Sequence, residues 1–493
     1  MHLSKKNLAN IPDARVVKPN GSMFTFPEKI LQFGTGVLLR SLPDYFIDKA
    51  NRNGIFNGRI VVVKSTDTGD TNDFDEQDNL YTLCIRGIEQ GKKVEENIIC
   101  SAISRVLSAK QQWQEILQCA HKPLLKIIIS NTTEAGLQLV KEDINQQPPV
   151  SFPAKLTAFL FERYKAFRGS PASGMVIIPT ELVTDNGKKL LAMVLELAAF
   201  NNLNESFIEW VKNYNRFCNS LVDRIVPGKP DVVAKQVIES ELGYTDELMA
   251  VCEVYRLWAI EGDEQVRAVL SFAEADKNMI IAPDIEIYKE LKLRLLNCTH
   301  TLCCGPAFLS GFTTVKEAMD NVSFTTFMEA LMMKDIASAI PCNLPENAAY
   351  DFGMQVLDRF RNPHIKHEWI NITLYYSLKM KMRMLPVLQR YYALYNKVPG
   401  YIAAGFAAYL LFMKATKQQE GKYFGESNGK PYPINDEHAA WYYELWQQKD
   451  INKIVAETLQ NKTLWDIDLS QLNGFAYAVN AKLQLYIKEG VKF

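Results

Sequence analysis

Short, almost unbroken apolar runs mark the first third of the chain: Lys29 to Phe33, Arg59 to Lys64, Leu124 to Ile129 and Met175 to Pro179. Runs of this length, rich in Ile and Val, predict buried strands rather than amphipathic helices. Between the first two, apolar positions recur with helical spacing from Val37 to about Asn51. Leu38, Leu39, Leu42, Tyr45, Phe46 and Ile47 form one face, and Asp44, Asp48 and Lys49 the other. Pro43 lies beyond the first turn of that helix and predicts a kink or a later start. Strand, helix and strand together make a βαβ unit of the length that a mononucleotide-binding half requires. Beyond about residue 285 nearly every segment carries helical spacing, and Ile281-Ala-Pro283-Asp284 interrupts the pattern before it. The expected architecture is an α/β, Rossmann-like N-terminal domain over residues 1–280 and a mainly α-helical C-terminal domain over 281–493. A cleft between two such domains is a common place for a small molecule. The stretch Glu426 to Asp436 is polar and predicts a loop within the helical half.

Composition narrows the function classes. At 493 residues with 47% hydrophobic residues, the chain has material for sizeable cores. A net charge of -1 gives no electrostatic reason to expect nucleic acid or an anionic membrane as partner. Nine cysteines, an odd count, predict reduced thiols and a cytoplasmic protein. The charges of the N-terminus are not followed by an apolar run, as a signal peptide requires. The longest apolar stretch, Tyr401 to Met413, is too short to span a bilayer. No assembly state is legible.

Two regions carry the chemistry, the first at the carboxyl ends of the predicted strands and the second on one predicted helix. The first predicted strand runs into Gly34-Thr35-Gly36-Val37-Leu38-Leu39-Arg40, where two glycines permit a tight turn and close approach to a pyrophosphate. The third predicted strand ends in Ser130-Asn131-Thr132-Thr133-Glu134, polar residues at the edge where open α/β sheets bind ligands. The second is Lys292-Leu-Arg-Leu-Leu-Asn297-Cys-Thr-His300, which offers an ammonium, an amide and an imidazole on one predicted helix. At about 100° per residue the three fall within an arc of roughly 140°. A metal-free carbonyl reductase needs that set: Lys292 to give or take the proton, Asn297 to hold the oxygen and His300 to orient the substrate. Burial and neighbouring cations such as Arg294 or Lys289 ease proton release from an ammonium. The bland alternative is a solvated lysine, a helix-end asparagine and a core histidine. Cys298, His300, Cys303 and Cys304 crowd together, but adjacent cysteines diverge on a helix and closed zinc sites separate their ligand pairs by a longer loop, so no metal is expected.

Taken together, several motifs resemble the polyol-type long-chain dehydrogenases that include mannitol dehydrogenase, and most closely their hexuronate branch. They are Gln32 to Gly36 with Leu39 and Arg40, Ser130 to Gly136, Ile178 to Glu181 with Asp185 to Gly187, Asn219 to Arg224, the Lys292, Asn297 and His300 set, and Arg361 to His367. The resemblance covers most of the chain. It implies NAD as cofactor, bound by Phe33, Gly34, Thr35, Gly36, Val37, Leu38, Arg40, Asn131 and Thr132. It implies Lys292 as acid/base, Asn297 and His300 as positioning groups, and Asp223 and Lys379 as substrate residues. The activity implied is interconversion of tagaturonate and altronate by hydride transfer, with fructuronate and mannonate, or a neutral polyol, as alternatives. A non-catalytic nucleotide-binding protein would be expected to have lost the lysine.

Three departures matter. Mannitol-type relatives carry arginine where this chain has Asn371 and asparagine where it has Leu182, which implies a pocket shaped for something other than a plain polyol. Some relatives carry a proton-relaying carboxylate where this chain has Lys289. Lys64, followed by Ser65, Thr66 and Asp67, ends the second strand, where an acid would favour the ribose diol of NAD and a lysine the 2′-phosphate of NADP. A sugar acid also brings a carboxylate to be neutralised. Arg361, His364, Lys366, His367, Lys379 and Arg383 are the cations at hand, with Lys379 preferred.

Overall fold

The computed structural model describes residues 1–66, 70–132 and 136–493; of the positions singled out above, Asp67, Thr133, Glu134 and Ala135 lie outside the described residues. The chain divides into two compact units, Met1–Arg86 with Lys93–Ile285, and Gly87–Lys92 with Glu286–Phe493.

The first unit is organised by a six-stranded sheet of β1 (Glu28–Phe33), β2 (Arg59–Lys64), β3 (Ile103–Ser108), β4 (Ile127–Ser130), β5 (Val176–Pro179) and β6 (Arg216–Phe217), in the order β3-β2-β1-β4-β5-β6. Each neighbouring pair is parallel. This is the doubly wound order 3-2-1-4-5-6, whose reversal beside β1 opens the carboxyl edge to a dinucleotide. Alternate residues of each strand enter different cores. Ile30, Val62, Ile129 and Ile178 pack on one face, while Leu31, Phe33, Val61, Val63, Ile128 and Ile177 pack on the other. Burial on both faces is why these strands read as continuous apolar runs. The register sets Phe33 opposite Val63 and Ser130, so the carboxyl ends of β1, β2 and β4 lie side by side.

The helix expected over Val37 to Asn51 is two helices, α1 (Val37–Ser41) and α2 (Pro43–Arg52), broken at Leu42, whose φ of -127° and ψ of -74° are not helical. Proline tolerates the first turn of a new helix and not the interior of an old one. Three further strands, Ser220–Asp223, Leu257–Glu261 and Met279–Ala282, form a second small sheet in this unit.

In the second unit, Gly400–Phe412 is a helix buried nearly all round, packed by Thr299–Leu309 and Phe475–Glu489. A helix apolar on every side needs such enclosure, which explains the longest apolar run. No helix among the described residues is long and apolar enough to cross a membrane. The stretch expected as a loop is instead part of a three-stranded antiparallel sheet, Lys417–Gln419, Lys422–Ser427 and Lys430–Ile434. Gly421 and Gly429 sit at its two turns with φ of +74° and +71°. Its first two strands are largely exposed or half-buried, and in the third the burial of Tyr432 and Ile434 is masked in the sequence by Pro431 and Pro433.

Candidate functional site

At the carboxyl edge of the first sheet, the Gly34 amide donates to the Val63 carbonyl at 3.0 Å while its φ is +127°. A Cβ there would meet Leu39 Cδ1 at 2.8 Å and the Asn131 carbonyl oxygen at 3.1 Å, so only glycine allows this turn. Gly36 is the opposite case: it is exposed, and a Cβ on it would meet nothing within 4 Å. The missing side chain leaves open space directly before Val37, where a pyrophosphate can approach the backbone. The residues present therefore fit a dinucleotide.

Phe33 is buried at the end of β1, and Val37 and Leu38 pack partly on the core. Arg40 works from behind the turn: its Nε donates to the Thr35 carbonyl at 3.4 Å, its Nη1 to the Leu248 carbonyl, and its guanidinium lies 5.2 Å from the Tyr81 ring centre. Asn131 donates through Nδ2 to the carbonyl and hydroxyl of Thr180, at 3.1 and 2.9 Å. Thr132 donates through N and Oγ1 to Glu181 Oε1, at 2.9 and 3.2 Å, and Ser130 Oγ donates to Oε2 at 3.2 Å. Burial raises the pKa of Glu181.

Glu181 therefore positions the whole end of β4. In the sequence it appeared only as part of a motif, because nothing there shows which strand end a carboxylate will face. Asn186 acts similarly, donating to the carbonyls of Pro179, Glu181 and Ser220 and accepting from the amides of Gly187 and Ser220. Asp223 is buried at the end of the strand Ser220–Asp223. Lys64 Nζ donates at 2.6 Å to the carbonyl of Thr66, in its own loop.

The second unit holds the other set. Helix α3 (Glu286–Leu291) runs into a π-helical segment, Lys292–Cys298, and then into α4 (Thr299–Leu309). The expected α-helical step of 100° therefore does not apply between Lys292 and Asn297. A π turn closes through i→i+5 bonds, so residues five apart fall nearly in line, which sets these two groups closer in direction than an α-helix would. Lys292 and Asn297 are half-buried.

The two cations expected to act on Lys292 are engaged elsewhere. Arg294, buried, is forked by Glu290 at 2.8 and 3.1 Å and donates to the carbonyls of Met382 and Arg383 at 2.8 and 2.9 Å. Lys289 pairs with Glu286 at 3.2 Å. The carbonyls that Arg294 holds belong to a second π segment, Met380–Met384, which follows α5 (Tyr376–Lys379). One buried guanidinium thus staples the segment of Lys292 to the segment of Lys379.

His300 stacks on Phe360, with ring centres 4.2 Å apart, and meets His367 edge-on at 5.0 Å. Its Nε2 is buried and has no hydrogen-bond partner among the described residues. Burial, and then the charges of His367, Arg359, Arg383 and Lys379, push its pKa well below the usual imidazole value, so the ring is neutral. Lys379 Nζ donates to the Ile372 carbonyl at 2.9 Å, and its pKa is lowered by burial and then by Arg383. Arg383 Nη1 donates to the Asn297 carbonyl at 3.3 Å and to Thr301 Oγ1 at 3.0 Å. Lys292, Asn297, His300 and Lys379 are thus carried by mutually packed segments of one unit, with Arg383 among them.

Other cations are spent on the surface: Arg361 pairs with Glu329 at 2.7 Å and Lys366 with Glu368 at 3.0 Å. Burial pushes the thiols of Cys298 and Cys304 up to about 12 and raises that of Cys303 well above the usual thiol value, which keeps all three neutral core groups.

Residues 28–272 match the family model of the mannitol dehydrogenase Rossmann domain, and residues 284–487 that of the mannitol dehydrogenase C-terminal domain. The chain is 36% identical over 476 residues to an altronate oxidoreductase of Halalkalibacterium halodurans, covering 94% of this chain and 92% of that protein. It is 37% identical over 477 residues to an altronate oxidoreductase of Yersinia enterocolitica, covering 94% and 96%. Among solved structures, a D-sorbitol dehydrogenase in substrate-free form has the same fold, with a TM-score of 0.81, 19% identity, and coverage of 100% of this chain and 99% of that one. Mannitol 2-dehydrogenase of Pseudomonas fluorescens, solved with NAD and D-mannitol, superposes with a TM-score of 0.65 at 22% identity, covering 100% and 98%.

Proposed function

The chain belongs to the mannitol dehydrogenase family, and on that premise we propose that it is an NAD-dependent oxidoreductase interconverting tagaturonate and altronate. The relatives named altronate oxidoreductase, matched over more than nine-tenths of both chains, carry this reading. Bound NAD supplies the hydride acceptor for oxidation, and NADH the donor for reduction. In the reductive direction Lys292 Nζ gives a proton to the carbonyl oxygen; in the oxidative direction the neutral amine takes it back. The Asn297 amide donates to the oxygen as charge develops on it. His300, held neutral, offers Nε2 to a substrate hydroxyl, which ends that atom's isolation. Asp223 and Lys379 complete the substrate contacts, and Gly34, Gly36, Asn131 and Thr132 shape the cofactor turn.

NAD rather than NADP is supported by Lys64, whose ammonium is folded onto the Thr66 carbonyl instead of standing ready for a 2′-phosphate. A neutral polyol is a poorer fit: where the mannitol-type pattern has an arginine this chain has Asn371, whose amide turns to Glu368 at 3.4 Å. The test follows NADH and NADPH absorbance with tagaturonate, fructuronate, tagatose and fructose at equal concentrations. Fastest turnover of tagaturonate with NADH is expected. Preference for a neutral ketose, or for NADPH, overturns the corresponding part of the reading.

A further inference from the structure

The segment from α5 through the second π turn carries three cations at every second position, Lys379, Lys381 and Arg383, and they differ in how their charge is met. Lys381 has a carboxylate, Asp466 Oδ1 at 2.7 Å. Lys379 and Arg383 are half-buried one turn apart, and among the described residues neither has an acidic partner. The pKa of each is lowered by burial, and that of Lys379 further by Arg383 itself. Two like charges held together out of water without a counter-ion are unfavourable unless an anion from outside completes them.

The donors of Arg383 show where that anion belongs. Nη1 spends its hydrogens on the Asn297 carbonyl and the Thr301 hydroxyl. The Nε and Nη2 edge, the side of a guanidinium that matches two carboxylate oxygens, donates to no group among the described residues, both of the side chain's hydrogen bonds being made by Nη1. Lys379, preferred on sequence grounds, already donates to a backbone carbonyl and offers a point charge rather than a fork.

We propose that Arg383 is the residue that recognises the substrate's carboxylate, through its Nε and Nη2 edge, with Lys379 as supporting charge. This rests on the sugar-acid reading above and adds the group that selects for it. Because the same guanidinium holds the backbone of Asn297, an acid docked at one end of the substrate is tied to the amide that receives the reacting oxygen at the other.

The test compares two ligands that differ only in carboxylate versus hydroxymethyl, altronate and altritol, by calorimetric titration of the NADH complex. Arg383→Met should weaken altronate about 30-fold, the size of a lost charge-assisted fork, and altritol less than about threefold. Arg383→Lys, which keeps the charge without the fork, should weaken altronate about tenfold and altritol again little. If Arg383→Met does not fold, as judged by its melting curve, the Arg383→Lys ratio decides by the same criterion. A wild-type preference for altronate that survives substitution, or equal losses for both ligands, overturns the assignment. A wild-type protein that binds both equally overturns the sugar-acid reading itself.

Discussion

The roles proposed for the cofactor residues of the first unit and for the acid/base residues of the second rest on opposite materials. In the first, function lies in backbone and in what is missing: Gly34 turns where no Cβ fits, Gly36 leaves space where a Cβ would stand, and buried polar side chains such as Glu181 and Asn186 hold the strand ends. In the second, the proposed roles fall to side chains: a lysine and an amide on one π segment, a neutral imidazole on α4, and two cations along α5 and the second π segment, with Arg294 stapling the two π segments. A backbone site tolerates exchange of most of its side chains but not of its glycines. A side-chain site tolerates neither loss of its reacting groups nor loss of the geometry that aims them.

The contrast can be broken most severely at Lys292. Lys292→Met, which keeps the stem of the side chain, should lower turnover by about a thousandfold while NADH binding, read by fluorescence, changes less than about twofold. Preserved turnover at saturating NADH would show that the second unit's lysine does not carry the proton.

Gly34→Ala should do the reverse. Forcing a Cβ against Leu39 and the Asn131 carbonyl at a φ of +127° should weaken NADH binding by about a hundredfold. Stability should also fall by about 2 kcal/mol. Unchanged NADH affinity would remove the glycine turn from the cofactor site.

A smaller and more diagnostic effect is expected at His300. His300→Phe keeps the stacking on Phe360 but removes the unpartnered Nε2. The melting temperature should stay level or rise by a few degrees, while kcat/KM falls about 30-fold, since an isolated buried ring nitrogen is kept for function rather than stability. A drop in melting temperature together with unchanged kcat/KM would make it a core histidine.

The smallest effect is a pH slope in the first unit. Asp44, on the first turn of α2, is fully buried, and burial raises its pKa from 3.8 to about 7. Because the folded state keeps a proton that the unfolded state has lost, its contribution is fully present below pH 3.8 and declines as pH rises toward about 7. Asp44→Asn should therefore flatten the fall in melting temperature between these limits by a few degrees. Identical slopes in the two proteins would contradict this.

The same contrast explains what could be read from sequence alone. Strands buried on both faces announce themselves as apolar runs, and a glycine pair between strand and helix announces the turn, so the α/β unit and its edge were legible. The break at Leu42 was half legible, through Pro43. The helical half was legible as helical, and Lys292, Asn297 and His300 as a group. Their π geometry was not, because a π turn has the same apolar spacing within a short window as an α-helix. Glu181 was legible only as part of a motif and Arg383 only as one of six candidate cations, because each acts on residues roughly 50 to 90 positions away, where only the fold supplies the partner. The antiparallel strands at 417–434 escaped because the first two are largely exposed or half-buried and the two prolines of the third disguise the alternation of buried Tyr432 and Ile434.

The central claim is that Lys292 exchanges the proton of the oxygen borne by the carbon that exchanges hydride. It is tested most directly by a structure of the complex with NADH and altronate. The account predicts Lys292 Nζ within about 3 Å of the oxygen on the carbon facing the nicotinamide. An amine directed to solvent, or another acid or base in that position, would contradict it.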